Sequence, residues 1–204
     1  MSLTLKALQN QVDDLRKEIE TLKSNCKTQT IKKKLDIEDT FEIAGLKWKI
    51  LDITDKGYFC LAEKLDENMQ FDKNCNDWKE SILRKFLNSD IYRKISDEIG
   101  AENIISFERD LLSLDGQTEY GKCEDFVSLL SFDEYRKYRA FIPNTDNYWW
   151  WLITPDSTKC NGDKEWVRVV SPSGLIRSHF CTTASSVFVH FVSFHLQSLN
   201  QRNR

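Results

Sequence analysis

The segment Ser178–His195, SHFCTTASSVFVHFVSFH, constrains the fold more than any other part of the chain. It contains no Lys, Arg, Asp or Glu in eighteen residues, whereas 30% of the whole chain is charged. Two structures account for this composition. The β-branched and aromatic run VFVHFV is typical of a buried strand, and composition alone favours that interpretation. Aromatic, His and hydroxyl side chains together are also typical of a surface that contacts a ligand.

Length, charge and hydropathy limit the class of protein. The 204 residues suffice for one domain with a full core plus an appendage. A net charge of -3 argues against a nucleic-acid binder that works by neutralising phosphates. No apolar run is long enough for a transmembrane helix, and the start, MSLTLKALQNQ, lacks the apolar core of a secretory signal. We therefore expect no nucleic-acid partner, no membrane insertion, and a cytoplasmic or virion-associated chain whose localisation is otherwise open.

The residue types that usually carry chemistry are few and poorly grouped. The six cysteines include no CxxC pair and are interpreted as reduced thiols, mostly in the core. The three histidines form no HExxH or His-x-His metal motif, and no P-loop, GxGxxG or GxSxG motif occurs. Cys181 near His179 is a candidate thiol nucleophile, but no third orienting group lies nearby. We therefore expect no metal, cofactor or catalytic residue, and interpret Asp110, Asp115 and Glu119 as turn residues.

Apolar residues near the N-terminus alternate spacings of three and four. They are Leu5, Leu8, Val12, Leu15, Ile19, Leu22 and Cys26. This is a heptad repeat with Val12 and Ile19 at position a and Leu at every d, which favours a parallel coiled coil of two strands, with three as the alternative. An amphipathic helix packed on its own domain also fits. We expect a homo-oligomer through residues 5–26, a coiled-coil helix at 1–28, a linker at 29–37 and a globular domain at 38–204.

The globular part alternates hairpin and helix signals. FEIAGLKWKILDIT with GYFCLAEKL predicts a hairpin that turns at TDKG, and EWVRVVSPSGLIRS predicts a second that turns at Pro172–Gly174. Capping-box spacings predict one helix that begins at Asp77, with Glu80, and another that begins at Ser131, with Glu134. Strands with helices segregated between them predict an α+β fold.

Three adjacent Trp in Asn147–Pro155, NYWWWLITP, cannot all share one face of a strand or helix. We therefore expect at least one at the surface or at a pocket wall, and assign Trp150 to the ligand site.

Four motifs follow one another in a recognisable order. DWKESILRKFLN is similar to a DW-x-x-S-x-LR-x-WLN pattern, and Trp149–Pro155 to a WWL-(R)-SP motif with Ile153 and Thr154 in place of Arg-Ser. Val170–Gly174 is similar to a V-x-S-x-G turn, and Phe194–Leu196 to the end of a closing VRPAFHL without its Arg-Pro. From about residue 38 to 196 the chain thus resembles the variable proteins of diversity-generating retroelements, which are found in phages and gut bacteria.

The resemblance implies a C-type-lectin-like domain whose variable region, here about 178–195, is rewritten at template adenines by an error-prone reverse transcriptase. Rewritten AAY codons yield most residues except Lys, Glu, Gln, Met and Trp, and every residue from 178 to 195 belongs to the permitted set. Such a protein presents varied side chains on an unchanging frame, and an oligomer raises its affinity for an unknown protein or cell-surface ligand. The expected ligand-contacting residues are Ser178, His179, Phe180, Thr182, Thr183, Ser185, Ser186, Phe188, His190 and Trp150.

Two other functions remain open. One is a phage or bacterial structural or adhesin protein of the same fold without diversification. The other is a lectin-fold enzyme related to formylglycine-generating oxidases, which would need a reactive paired Cys. Calcium-dependent sugar binding is not expected, because no EPN or QPD tripeptide occurs.

Overall fold

The computed structural model describes residues 2–30, 35–62, 65, 67–183, 187–189 and 192–197. Within these ranges it describes the backbone alone at 2–6, 22–30, 67, 187–189 and 192–193. The chain divides into two compact units, a first that contains the N-terminal residues up to Leu35 and a second that runs from Asp36. Helix and sheet are mixed in the second unit, so the predicted α+β class agrees with the structure.

The first unit contains one continuous helix, α1, at Ser2–Thr30. Its heptad side chains Leu8, Val12, Leu15 and Ile19 are 40–59% exposed. The helix therefore runs two residues past the predicted end at 28, into the predicted linker.

The second unit contains the remaining elements. In chain order the strands are β1 Thr40–Ile43, β2 Leu46–Ile53, β3 Tyr58–Ala62, β4 Glu67–Asn68, β5 Ile104–Ile105, β6 Phe107–Asp110, β7 Lys122–Asp125, β8 Val127–Ser128, β9 Trp149–Pro155, β10 Trp166–Val170, β11 Ile176–Phe180, β12 Val187–Val189 and β13 Val192–Leu196. The α-helices are α2 Ile82–Phe86, α3 Tyr92–Ile99 and α4 Phe132–Lys137, and a π-helical turn, Leu87–Ile91, joins α2 to α3. The 3-10 turns are Trp78–Glu80, Ala101–Asn103, Arg139–Phe141 and Lys159–Asn161.

Two main sheets organise the second unit. The first has the order β1-β2-β3-β13-β5, with β8 also paired to β13, and the second has the order β11-β10-β9-β12-β4. Strands β6 and β7 form a separate antiparallel pair. The last described strand, β13, thus lies inside the first sheet, between β3 and β5. Both predicted hairpins are confirmed, β2–β3 across the TDKG turn and β10–β11 across Pro172–Gly174.

A shared core joins the first sheet to β9. Leu51, Phe59 and Leu61 of the first sheet lie in one buried cluster with Trp150 and Leu152 of β9. The ring of Tyr135 from α4 packs edge-on against Trp150 at 5.4 Å between centroids. Strand β9 is therefore buried on both of its faces, which is what its continuous apolar sequence favours.

The two predicted helix starts have different outcomes. Ser131 and Glu134 form the predicted capping box at the start of α4. Asp77 instead caps a 3-10 turn, where its side chain accepts a hydrogen bond from the Lys79 amide, and α2 begins only at Ile82. The prediction of an α-helix from Asp77 is therefore wrong. Ser81 has an extended backbone, with φ -61° and ψ 147°, and its own hydroxyl caps α2, so the first turn cannot continue into it.

Candidate recognition surface

The uncharged segment 178–195 is divided among three elements. Residues 178–180 end β11, a turn follows at 181–182, and further along the segment enters β12 and then β13. In β13, Phe194 is fully buried and packs against Trp48 at 4.5 Å between ring centroids. From 178 to 183, by contrast, every side chain except Cys181 is exposed or half-buried. The buried-strand interpretation thus holds for the end of the segment, and its beginning lies at the surface.

An exposed aromatic pair marks this surface. Trp166 faces Phe180 across the β10–β11 hairpin, and their ring centroids are 4.0 Å apart with an interplanar angle of 33°. The two side chains are 37% and 41% exposed. Adjacent large aromatic side chains at the surface are typical of contact sites, since Trp and other aromatics provide large apolar area at low entropic cost.

Ser178 belongs to a polar network beneath this pair. Its hydroxyl donates to Asp156 Oδ2 at 2.5 Å and accepts from the guanidinium of Arg168, which also donates to Asp156 Oδ1 at 3.1 Å. Both partners are half-buried. The Ser178 hydroxyl is therefore hydrogen-bonded to two other side chains of the protein.

The other predicted ligand-contacting residues near the turn differ in their exposure and in their contacts. Thr182 is exposed, and Phe180 and Thr182 together offer a ring and a hydroxyl to solvent. His179 is half-buried, with its ring edge-on to Trp151 at 6.4 Å, and its Nδ1 accepts from the Phe180 amide at 3.1 Å. The Thr183 amide donates to the Phe180 carbonyl at 2.9 Å and closes the turn.

A buried amide supports the same surface from below. Asn76 is fully buried, and its Nδ2 donates to the carbonyls of Ser157 and Trp166, each at 3.1 Å. Its Oδ1 accepts from the Tyr120 hydroxyl at 2.6 Å. The Asn76 backbone amide donates to the Lys164 carbonyl at 2.7 Å. One side chain and its own backbone thus fix the start of β10, on which Trp166 stands.

A cleft of about 280 Å³ lies beside the aromatic pair. Its lining residues are Lys73, Asn74, Lys164, Glu165, Phe180, Cys181 and Thr182. Two backbone bonds hold its walls together, from the Cys181 amide to the Glu165 carbonyl at 2.7 Å and from the Asp72 amide to the Cys181 carbonyl at 3.0 Å. The cleft therefore combines residues of the uncharged segment with residues that lie far from it in sequence.

The structure corrects one predicted contact and does not describe others. Trp150 is 1% exposed and lies in the core cluster with Leu152, so its assignment to a ligand surface is wrong. The physical reason is that β9 is an inner strand with packed layers on both faces. The backbone of Phe188 lies in β12, in register with Trp150, but its side chain is outside the described part, as are Ser185, Ser186 and His190.

Burial shifts the pKa of a thiol and of an imidazole that were candidates for chemistry. Burial raises the pKa of the Cys181 thiol to about 11, so at neutral pH it is protonated and poorly nucleophilic. Burial lowers the pKa of His195 to about 4. Within the described ranges no three His, Cys, Asp or Glu side chains converge as metal ligands would. The carboxylates of Asp115 and Glu119 accept hydrogen bonds in loops, whereas Asp110 ends strand β6, so its prediction as a turn residue is wrong.

Sequence reasoning missed Trp166, Lys73 and Lys164. A signal existed for Trp166, because counting outward from the Pro172–Gly174 turn pairs it with Phe180. No comparable signal existed for the lysines, since loop contacts bring them to the cleft.

Comparison with protein-family models, with curated proteins and with solved structures finds no match to this chain. In the described residues, no helix combines the length and the apolar character that crossing a bilayer requires.

Proposed function

We propose that this chain is a non-enzymatic recognition protein that binds a ligand through the surface around Phe180 and Thr182. The observation that carries the proposal is the exposed Trp166–Phe180 pair, which stands on a hydrogen-bonded frame at the start of the uncharged segment. When the exposed side chains vary and the backbone that carries them stays rigid, a protein can bind a different ligand without changing its fold. The raised pKa of Cys181 weighs against a thiol enzyme.

The surface is proposed to be diversified by a retroelement. The three residues of the uncharged segment that line the cleft are Phe180, Cys181 and Thr182, and all three are residue types that rewritten AAY codons produce. The supporting Asn76, Asp156 and Arg168 lie outside the segment. Side-chain variation at 180 and 182 would therefore leave the bonds of the frame in place. Ser178 would vary less freely, since its hydroxyl bridges two frame residues.

The domain is proposed to be C-type-lectin-like. Support comes from the motif residues, which make frame contacts. Trp78 Nε1 donates to the buried Asp125 at 2.7 Å, and Arg84 Nε donates to the other oxygen of the same carboxylate at 2.6 Å. Asn88 Oδ1 accepts from the Phe126 amide at 2.8 Å. These contacts tie the DWKESILRKFLN segment to the strands β7 and β8, which gives a physical reason for the pattern.

Helix α1 is proposed to join several copies in parallel. The apolar stripe of α1 is about half exposed, and leaving it in water is unfavourable. Packing against the same stripe of a second copy would bury it. Several binding surfaces on one particle raise the apparent affinity through effective concentration.

The DNA around the gene tests the proposal. We expect a nearby imperfect repeat of the region that encodes residues 178–195, and a reverse-transcriptase gene beside it. Differences between gene and repeat should fall at adenines of the repeat. Differences scattered over other bases would contradict diversification. The lack of both repeat and reverse transcriptase would favour a structural or adhesin protein of the same fold.

A further inference from the structure

We propose that the cleft beside the Trp166–Phe180 pair selects an acidic, aromatic-containing segment of a protein partner, and that the frame, not the uncharged segment, supplies this selectivity. The inference rests on the proposed recognition function and names its ligand class. It starts from the composition of the cleft, which contains two lysines and one glutamate, although the whole chain carries a net charge of -3. The side chains that line the cleft thus sum to one net positive charge, from two lysines and one glutamate.

The two lysines are available for a partner. Lys73 and Lys164 are exposed, and neither amino group makes an ion pair or hydrogen bond with another described residue. Some other basic side chains of the second unit are paired, as Arg84 is with Asp125 and Lys137 is with Asp52. Two unpaired ammonium groups at one cleft favour a ligand that carries carboxylates.

The loops that carry the lysines are held in place before any ligand binds. The Asp72 carboxylate accepts from the Asn74 amide at 2.9 Å and from the Ile82 amide at 3.1 Å, which fixes the loop on both sides of Lys73. The Lys164 carbonyl accepts from the Asn76 amide at 2.7 Å. A preorganised backbone reduces the entropic cost of binding, so modest charge contacts contribute net affinity.

The aromatic pair and the sheet edge favour a polypeptide. Trp166 and Phe180 present a tilted aromatic surface beside the charges, which suits an aromatic side chain of a partner. Strand β11 is the outermost strand at its end of the second sheet, and such an edge accepts an extended peptide. Lys73, Lys164 and Trp166 lie outside the uncharged segment. Their side chains would therefore stay constant while positions 180 and 182 vary. Different variants would then share a preference for acidic segments and differ in fine specificity.

Binding of a labelled random copolymer of Glu and Tyr to the full chain tests the inference, with a Lys–Tyr copolymer and the acidic polysaccharide alginate as alternative probes. We expect the Glu–Tyr copolymer to bind, and the double variant Lys73→Glu/Lys164→Glu to bind it about tenfold or more weakly. The matched control is Lys56→Glu/Lys94→Glu, which makes the same change in net charge at exposed sites away from the cleft and should bind within about twofold of the parent chain. Circular dichroism and thermal melts check that both double variants fold.

Each outcome supports or overturns the inference. An equal loss in the control variant would show a general charge effect and overturn it, as would tighter binding of alginate or of the Lys–Tyr copolymer, or no binding of the Glu–Tyr copolymer. If the copolymer does not bind but the gene has an adenine-directed repeat, the acidic ligand class fails and the proposed function stands. If the copolymer binds through the two lysines and no repeat exists, the cleft stands and the diversified function fails.

Discussion

Buried and half-buried polar side chains at single positions hold the candidate recognition surface in place. Asn76 makes three side-chain hydrogen bonds that join the 157–166 loop to Tyr120, and Asp156 bridges Arg168 to Ser178. Removing one partner of a buried hydrogen bond leaves the others unsatisfied, which costs about 1–3 kcal/mol per group. Side chains of this kind are therefore expected to tolerate substitution less than the exposed residues they support.

Asn76→Ala is expected to lower the free energy of unfolding by about 3 kcal/mol, because it removes three buried hydrogen bonds, to two carbonyls and to the Tyr120 hydroxyl. Urea unfolding measures the change. The control is Asn74→Ala, at an exposed side chain, which should change stability by less than about 0.5 kcal/mol. Equal effects of the two substitutions would show that Asn76 does not support the loop.

Protonation of His195 is expected to destabilise the fold. The ring packs against Phe59 at 5.0 Å and Phe107 at 4.6 Å, and burial lowers its pKa from 6.5 to about 4. The folded state therefore holds the neutral ring while the unfolded chain binds a proton below about pH 6.5. The free energy of unfolding therefore falls as the pH drops below about 6.5, by about 2 kcal/mol between about pH 7 and pH 5.

Urea unfolding at several pH values checks the His195 prediction. In His195→Phe, which keeps an apolar ring against Phe59 and Phe107, the loss of stability between about pH 7 and pH 5 should largely disappear. His179→Asn is the control and should keep the dependence of the parent chain. A dependence that is unchanged in His195→Phe would assign it to other groups.

Two elements, the β10–β11 hairpin and helix α1, carry the proposed function in different ways. The hairpin pairs Trp166 with Phe180 by register, so the length of its turn decides which aromatic side chains meet. Helix α1 presents its apolar stripe to solvent, so its stability depends on what covers that stripe. The hairpin therefore sets the relative position of the two aromatic rings, and the helix is expected to set how many binding surfaces one oligomer presents.

Val12→Asp/Ile19→Asp, at two a positions of α1, is expected to convert an oligomer of two or three chains to monomer, because it places charge in an apolar seam. Sedimentation equilibrium of the full chain measures the mass. Asn10→Asp/Ser24→Asp, at two f positions, adds the same charge outside the seam and should leave the oligomer intact. A monomeric parent chain, or dissociation of both variants, would contradict association through this stripe.

The whole second unit separates a buried core from the exposed surface that is proposed to contact a ligand. The core cluster joins the first sheet, α4 and β9, and β13 places the end of the uncharged segment within that first sheet. The beginning of the segment lies on the second sheet, at the surface. One continuous stretch of similar composition therefore contributes to both the core and the proposed contact region.

This separation predicts losses of stability of different size at two aromatic residues. Trp150→Ser should destabilise the fold by about 4 kcal/mol, since it empties a core site. Phe180→Ser should cost about 1 kcal/mol or less, because its ring is exposed and loses mainly the contact with Trp166. Thermal melts and urea unfolding compare the two. Similar losses would show that Phe180 belongs to the frame.

Local patterns determined the elements of this protein but only part of the proposed site. The α1 heptads, both hairpins and the Ser131–Glu134 capping box depend on neighbouring residues, so the sequence was enough to predict them. The same local rule failed at Asp77, where Ser81 offers a second cap four residues later. The family resemblance predicted Phe180 and Thr182 as surface residues, and both are exposed, although composition alone favoured a buried strand.

Only the tertiary structure decided which face of the protein each uncharged or aromatic residue occupies. Trp150 and Phe180 are both aromatic strand residues, yet packing on both faces of β9 buries the first, and the position of β11 at the sheet edge exposes the second. Lys73 and Lys164 meet at one cleft because backbone bonds to Cys181 and Asn76 cross long stretches of sequence. Burial and convergence depend on such long-range contacts, which no local pattern encodes.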